Sequence, residues 1–307
     1  MSTTVPPPDV QPDLHDEPPP PGPGLERDAE KAASRRGFLI GLPGLAYLVA
    51  FFAAPLLIVV VYSFASRSPR GATVLAGWNL DSYARLTDSL VLTIAWRSLW
   101  IAVVTTLICL VLAYPFAYYL ATRPVRVRAL LLVLVMIPFW SNFLVRTYAW
   151  RMLLGSDGPL TRLLQTVGID ATLLFTPTGV MIGLVYGYLP FMILPLYAAV
   201  ERLDHSLVEA ARDLYASGWQ AFWKVTWPLS RPGVIAGSIL VFIPSFGAYV
   251  TPEILGGRGS TMLGSYIARQ FIGTASDWPF GSALSVAILV VMLAAATAYF
   301  RAGGKNL

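Results

Sequence analysis

The segment from Glu201 to Arg231, ERLDHSLVEAARDLYASGWQAFWKVTWPLSR, holds the residues whose types and spacing best suit binding chemistry. Leu203, Leu207, Ala210, Ala211 and Leu214 recur at helical spacing. Ser206 with Glu209 forms an S-x-x-E pattern, in which each side chain can satisfy an orphan backbone N–H, so a short amphipathic helix is predicted to start there. After Ala216-Ser217-Gly218 a second amphipathic turn places Trp219, Phe222, Trp223 and Thr226/Trp227 on one side and ends at Pro228. Two short helices exposing Trp and Phe suit a docking surface for another protein. The other reading is an interfacial loop whose aromatics rest at lipid headgroups and whose Glu209 only caps a helix.

Other chemistries lack their residues. There is no GxxxxGK[ST] phosphate loop, and Gly256-Gly257-Arg258-Gly259 is followed by no Gly-Lys pair, so ATP is not bound by that device. Two histidines, His15 and His205, cannot build a helical metal pair, and the single cysteine, Cys109, reads as a buried packing residue. No Asp or Glu lies inside a long apolar run, which excludes paired intramembrane aspartates and argues against a proton-coupled secondary transporter. No catalytic residue, metal or cofactor is expected, and energy for any transport must come from another subunit.

The elements that would hold the segment are uncharged stretches at 37–66, 98–122, 129–145, 171–200, 232–252 and 278–300. Crossing a hydrocarbon core takes about 20 apolar residues, so an all-α integral membrane protein with six transmembrane helices is predicted. Arg146 interrupts the outer half of the third, in which Pro138, Asn142, Arg146 and Ala149 fall along one helical face. Only 13% of the 307 residues are charged and 56% are hydrophobic, too little charge to cover a soluble globule. Basic residues punctuate apolar runs instead of forming a patch, which excludes a nucleic-acid module.

Residues 1–34 carry seven of the 17 acids, and nine prolines stand in the first 24 positions, so this part is read as a disordered, Pro-rich acidic cytoplasmic tail. Ser34-Arg35-Arg36 before the first run is read as a positive-inside anchor of an uncleaved helix, since a signal h-region spans only about 7–15 residues. With Arg123, Arg126 and Arg128 also against helix ends, Lys and Arg favour both termini inside.

At Glu209-Ala210-Ala211 and Val225-x-Trp227-Pro228 the chain resembles the EAA loop of permease subunits of binding-protein-dependent ABC importers. Three positions depart from that pattern: Tyr215 stands where the family has Gly, Val225 where it has Ile, and Trp227 where it has Leu. Tyr takes a positive φ only at a cost, so the turn between the two helices is expected to shift to Gly218. Further stretches, including Ile137-Pro138-Phe139-Trp140-Ser141-Asn142, Arg146-Thr147-Tyr148-Ala149-Trp150, Tyr186-Gly187-Tyr188-Leu189-Pro190, Val250-Thr251-Pro252-Glu253 and Asp277-Trp278-Pro279-Phe280-Gly281, resemble the spermidine/putrescine branch.

The resemblance implies a type I ABC importer permease fold over 35–307, with a core of about 96–301 and an EAA coupling loop at 201–231, in a bacterial inner membrane. It implies a second permease subunit, two copies of a cytoplasmic ABC ATPase, an extracytoplasmic solute-binding protein and surrounding lipid as partners. Glu209, Ala210, Ala211, Gly218 and Pro228 would couple to the ATPase. The substrate would be a polyamine, or another small solute of the same importer class. A polyamine pathway needs aromatic faces and carbonyls, worth about 0.5–2 kcal/mol per ammonium contact. Trp140, Asn142, Tyr148, Tyr186, Tyr188 and Tyr249 are candidates, with Glu253, at the outer end of the fifth helix, the nearby carboxylate. Arg146 is expected to snorkel to the interface, because a cation in the path would repel a polyamine.

Overall fold

The computed structural model describes the backbone of residues 23–303 apart from 69–71, 76, 274 and 275. Side chains are described over 41–297 with those gaps and without 205 and 295. In chain order the helices are α1 (Pro23–Ser63), α2 (Asp81–Ala84), α3 (Ser89–Ala121), α4 (Val125–Trp140), α5 (Phe143–Leu154), α6 (Pro159–Thr166), α7 (Pro177–Glu201), α8 (His205–Asp213), α9 (Gly218–Ala221), α10 (Trp227–Phe246), α11 (Val250–Leu255), α12 (Leu263–Phe271) and α13 (Trp278–Gly303). Between α1 and α2, β1 (Ser66–Arg67) and β2 (Thr73–Val74) pair antiparallel with Ser66 opposite Val74.

Of the predicted tail, 1–22 lies outside the described residues. Residues 23–34 fall in α1, where proline density ends at Pro23 and LERDAEKAASRR is rich in good helix formers. The chain divides into two compact units, Met1–Ile58 and Val59–Leu307. In the first, Leu45, Leu48, Phe51 and Phe52 of α1 are exposed, as suits a helix solvated by lipid.

The second unit is built on α3, α7 and α10. Cys109, Ala113, Tyr114, Ala117 and Leu120 of α3 pack with Met192, Ile193, Leu196 and Tyr197 of α7 and Val241 of α10. Cys109 is a fully buried packing residue, as the sequence suggested. Close approach of α7 and α10 depends on two glycines: a Cβ at Gly233 would meet Ala199 Cβ and the Pro195 carbonyl, and one at Gly237 would lie 2.7 Å from Met192 Sδ. Small residues at such crossings let helix backbones pack where water supplies no driving force.

Among the described residues, four helices are long and apolar enough to cross a membrane, over Gly41–Ser63, Ser89–Ala121, Pro177–Glu201 and Gly218–Phe246. The third predicted span is not one helix. Its chain stops at Trp140 and restarts at Phe143, and the segments Val125–Trp140 and Phe143–Thr166 are bent by 89°, a fifth crossing if the pair is one span. The sixth predicted run is the apolar, shorter Trp278–Ala294 of α13. The break has two causes in the sequence: Pro138 cannot donate to the helical ladder, and Asn142 caps the next helix by accepting from Leu144 N at 2.8 Å and Val145 N at 3.4 Å. Pro138, Asn142, Arg146 and Ala149 therefore do not share one helical face.

Candidate functional site: the docking loop and the far-end crossing

The loop between α7 and α10 folds as two short helices, with corrections at both ends of the sequence reading. Asp204, not Ser206, caps α8, its carboxylate accepting from Ser206 N at 2.9 Å. Ser206 thus lies inside the first turn, and an anion takes the cap facing the helix's positive end. Glu209 and Ala210 are exposed and Ala211 is half-buried. Glu209 has no ion-pair or hydrogen-bond partner among the described residues.

The turn after α8 does not shift to Gly218. Tyr215 itself takes φ 60°. Tyr215 N–H donates to the Arg212 carbonyl at 2.9 Å and Ala216 N–H to the Ala211 carbonyl at 3.0 Å. Those paired bonds are the Schellman closure, in which the left-handed position normally falls to Gly. Each bond contributes about 0.5–1.5 kcal/mol net, enough to hold a Tyr in a conformation costing about 1 kcal/mol. Gly218 meets no such demand: it begins α9, and a Cβ there would touch nothing within 4 Å. Ser217 caps α9 through a reciprocal pair with Gln220, at 3.3 Å and 3.0 Å.

Nor does the second helix end at Pro228. Gly218–Phe246 is continuous, because Phe222–Thr226 form a π-turn between α9 and α10. Trp227 N–H reaches back five residues to the Phe222 carbonyl, and Pro228, which has no N–H, falls in the first turn of α10. The aromatic residues form one chain of ring contacts: Trp219–Trp223 at 5.6 Å, Trp223–Trp227 at 5.4 Å, then Trp227 and Phe222 against Tyr114 of α3 at 5.5 Å and 5.3 Å. Tyr114 also shares a buried 2.7 Å hydrogen bond with Ser230. The loop is fixed at that root while its tip presents Leu214 at 82%, Tyr215 at 98% and Trp219 at 70% exposure. Arg128 of α4 meets Glu201, the last residue of α7, at 2.8 Å beside this root.

The other candidates lie toward the far end of α10. Arg146 does not snorkel freely; it donates to the Pro138 carbonyl at 2.9 Å, satisfying a terminal acceptor of the broken α4, and lies over the Phe139 ring. With Tyr186, Trp150, Gly183 and Thr251 it lines a narrow cleft between α5, α7 and α11. Tyr186 is thus brought together with a cation. Tyr188 turns to α10, donating to the Pro244 carbonyl at 3.4 Å. Trp140 and Tyr148 are exposed, and the side-chain oxygen of Asn142 is engaged as a cap.

Glu253 is not at the end of the fifth helix, which stops at Phe246; it belongs to the separate α11. Glu253 N–H donates to the Tyr249 carbonyl at 3.1 Å, so Tyr249, which precedes α11, stands one turn ahead of Glu253. Its carboxylate meets Arg269 of α12, whose Nη2 lies 3.2 Å and 3.0 Å from the two oxygens. This crossing is fastened to the bundle from within: Ser98 Oγ of α3 accepts from Leu263 N at 2.8 Å.

Sequence reasoning missed Arg269, the Tyr114–Ser230 bond and a second ion pair. Arg85 Nη1 lies 2.8 Å from Oδ2 of Asp277 and Arg67 Nη1 3.8 Å from it, while Asp277 Oδ1 accepts from Phe280 N at 3.2 Å. The order Asp277-Trp278-Pro279, an acid ahead of a proline and an apolar run, was a helix-start signal that could have found it.

A family model described as binding-protein-dependent transport system inner membrane component matches residues 32–302. The chain is similar to the spermidine/putrescine transport system permease protein PotB of Escherichia coli (strain K12), 42% identical over 83% of this chain and 94% of the relative. PotB of Haemophilus influenzae is 40% identical over 83% of this chain and 90% of its own length. Among solved structures, a bacterial alginate ABC transporter in complex with an alginate pentasaccharide-bound periplasmic protein shares the fold, with TM-score 0.68 at 16% identity, covering 88% of this chain and 93% of that one. The broken third span, the helical loop rooted on α3 and the family match over nearly the whole chain lead to one assignment: the chain belongs to the inner membrane components of binding-protein-dependent transport systems, as a multi-pass ABC importer permease of type I fold and not an enzyme.

Proposed function

We propose that this chain is one of two permease subunits of an ATP-driven importer for polyamines such as spermidine and putrescine. Both termini face the cytoplasm. A solute-binding protein delivers the ligand from outside, and α8 with α9 docks on one of two cytoplasmic ATPase subunits. The observation that carries the reading is the 42% identity, over 83% of the chain, to permeases named for spermidine and putrescine.

The geometry supports the mechanical half. Leu214 and Tyr215 after α8 and Trp219 of α9 offer apolar surface to an ATPase groove, beside Glu209, Ala210 and Ala211 of α8. Because α9, the π-turn and α10 are continuous, a push on Trp219 reaches α10, which is packed on α7 at Gly233 and Gly237. ATP-driven closure of the ATPases then opens or closes the path between the two permeases. Along that path the exposed rings of Trp140, Tyr148 and Tyr249 and the carboxylate of Glu253 suit ammonium groups, whereas Tyr186 stands beside Arg146 and Tyr188 serves the core.

The test is uptake of radiolabelled spermidine into proteoliposomes holding the full complex. Uptake should need ATP and the binding protein, and Glu253→Gln should lower it more than it lowers assembly. Uptake driven by a proton gradient without any ATPase would overturn the reading.

A further inference from the structure

Among the described residues, two carboxylates toward the far end of α10, Asp277 and Glu253, pair with arginines, and they are built for opposite purposes. Asp277 is only 5% exposed at its side chain, is shared by Arg85 and Arg67, and accepts from the Phe280 backbone, while Arg85 lies 4.0 Å from the centre of the Phe280 ring. Asp277 and Arg85 each have a second partner, so neither can leave without stranding another group. Glu253 and Arg269 are 37% and 55% exposed, and a single guanidinium nitrogen serves both oxygens. One nitrogen on two oxygens is not the two-nitrogen fork that makes arginine pairs strong. Neither side chain has another hydrogen bond among the described residues.

An exposed pair of this kind cannot face hydrocarbon, where charges are costly, so the free side of α11 and α12 faces water or the second permease. There Tyr249, the residue that precedes α11, stands one backbone hydrogen-bonded turn ahead of Glu253, a ring and a carboxylate at the same helix start. A primary ammonium can use the same two groups, and needs only to take the place of the guanidinium.

We infer that Arg269 is an exchangeable counter-ion of Glu253: it occupies the carboxylate when no substrate is present and is displaced by a substrate ammonium, then returns and releases the ammonium inward. Arg269 is thus a positioning residue that keeps Glu253 accessible without letting it trap a dication. The inference rests on the polyamine reading given above.

The test is a mutant cycle on the assembled complex, with spermidine as the probe. Equilibrium binding is measured without the binding protein up to millimolar spermidine, and uptake is measured with saturating ligand-loaded binding protein. Removing a competitor of surface-pair strength should tighten binding by about two- to fivefold. Arg269→Gln is therefore expected to bind spermidine more tightly yet transport it more slowly. Glu253→Gln should weaken binding, the double variant should match Glu253→Gln, and Arg269→Lys should restore wild-type turnover.

Weakening of binding by both single variants, or no change up to millimolar spermidine on losing Arg269, would overturn the exchange. A merely structural pair would instead lower thermal stability in both single variants and leave the binding-against-turnover split unmoved. Wild-type complex that takes up no polyamine would refute the function itself, whereas polyamine uptake with a flat mutant cycle would refute only the role of Arg269.

Discussion

The two ends of α10 solve opposite problems. At its start, Tyr114, Phe222, Trp227 and Ser230 lock the helix to α3 through ring contacts and a buried hydrogen bond, and the tip exposes three large apolar side chains, Leu214, Tyr215 and Trp219. Past its finish, the backbone of α11 and α12 is held by Ser98 and by buried Leu255, Met262 and Leu263, and an ion pair, Glu253 with Arg269, is left exposed. A rigid root with an apolar tip transmits force to a partner protein. A rigid backbone with a screened ion pair can exchange a small cation without moving the fold.

The contrast breaks first at the root. Tyr114→Ala removes a buried aromatic and its hydrogen bond to Ser230, so thermal unfolding of the purified complex should show a loss of about 3–5 kcal/mol. A loss under 1 kcal/mol would mean the loop is not anchored there. Next comes the locked pair: Asp277→Ala strands Arg85 and removes the Phe280 N–H acceptor, with a predicted loss of about 2–3 kcal/mol, below the fully buried limit because Arg85 is half-exposed.

Tyr215→Gly sharpens the tip. It relieves a strained backbone and should stabilise the fold by up to about 1 kcal/mol, yet lower ATP hydrolysis coupled to uptake if the ring docks on the ATPase. Unchanged coupling would reduce Tyr215 to a turn residue. The smallest expected effect is at the exchangeable pair, where Glu253→Gln should change stability by less than about 1 kcal/mol while cutting spermidine uptake. An equal fall in both would place Glu253 with Asp277 as a structural ion.

Much of this contrast could be read from the residues. Apolar run lengths located each long helix, and the spacing of Leu207, Ala211 and Leu214 located α8. The break at 141–142 was harder, since Pro138 and Asn142 are each compatible with a continuous span and only together, as stop and cap, divide it. The π-turn was not readable, because Pro228 normally signals an end, whereas here the Trp227 N–H reaches back to the Phe222 carbonyl and Pro228 falls in the first turn of α10. Tyr215 went the other way: propensity argued against a left-handed Tyr, and the two carbonyls of Ala211 and Arg212 outweighed it. Arg269 was invisible because its partner lies 16 residues away across an irregular crossing.

The central claim, that a docking loop couples an ATPase to a polyamine path, is tested most directly by ATP hydrolysis of the assembled complex in lipid. Binding protein loaded with spermidine or putrescine should stimulate hydrolysis, unloaded binding protein should not, and Tyr114→Ala should abolish the difference. Stimulation by an uncharged solute and none by either polyamine would contradict the account.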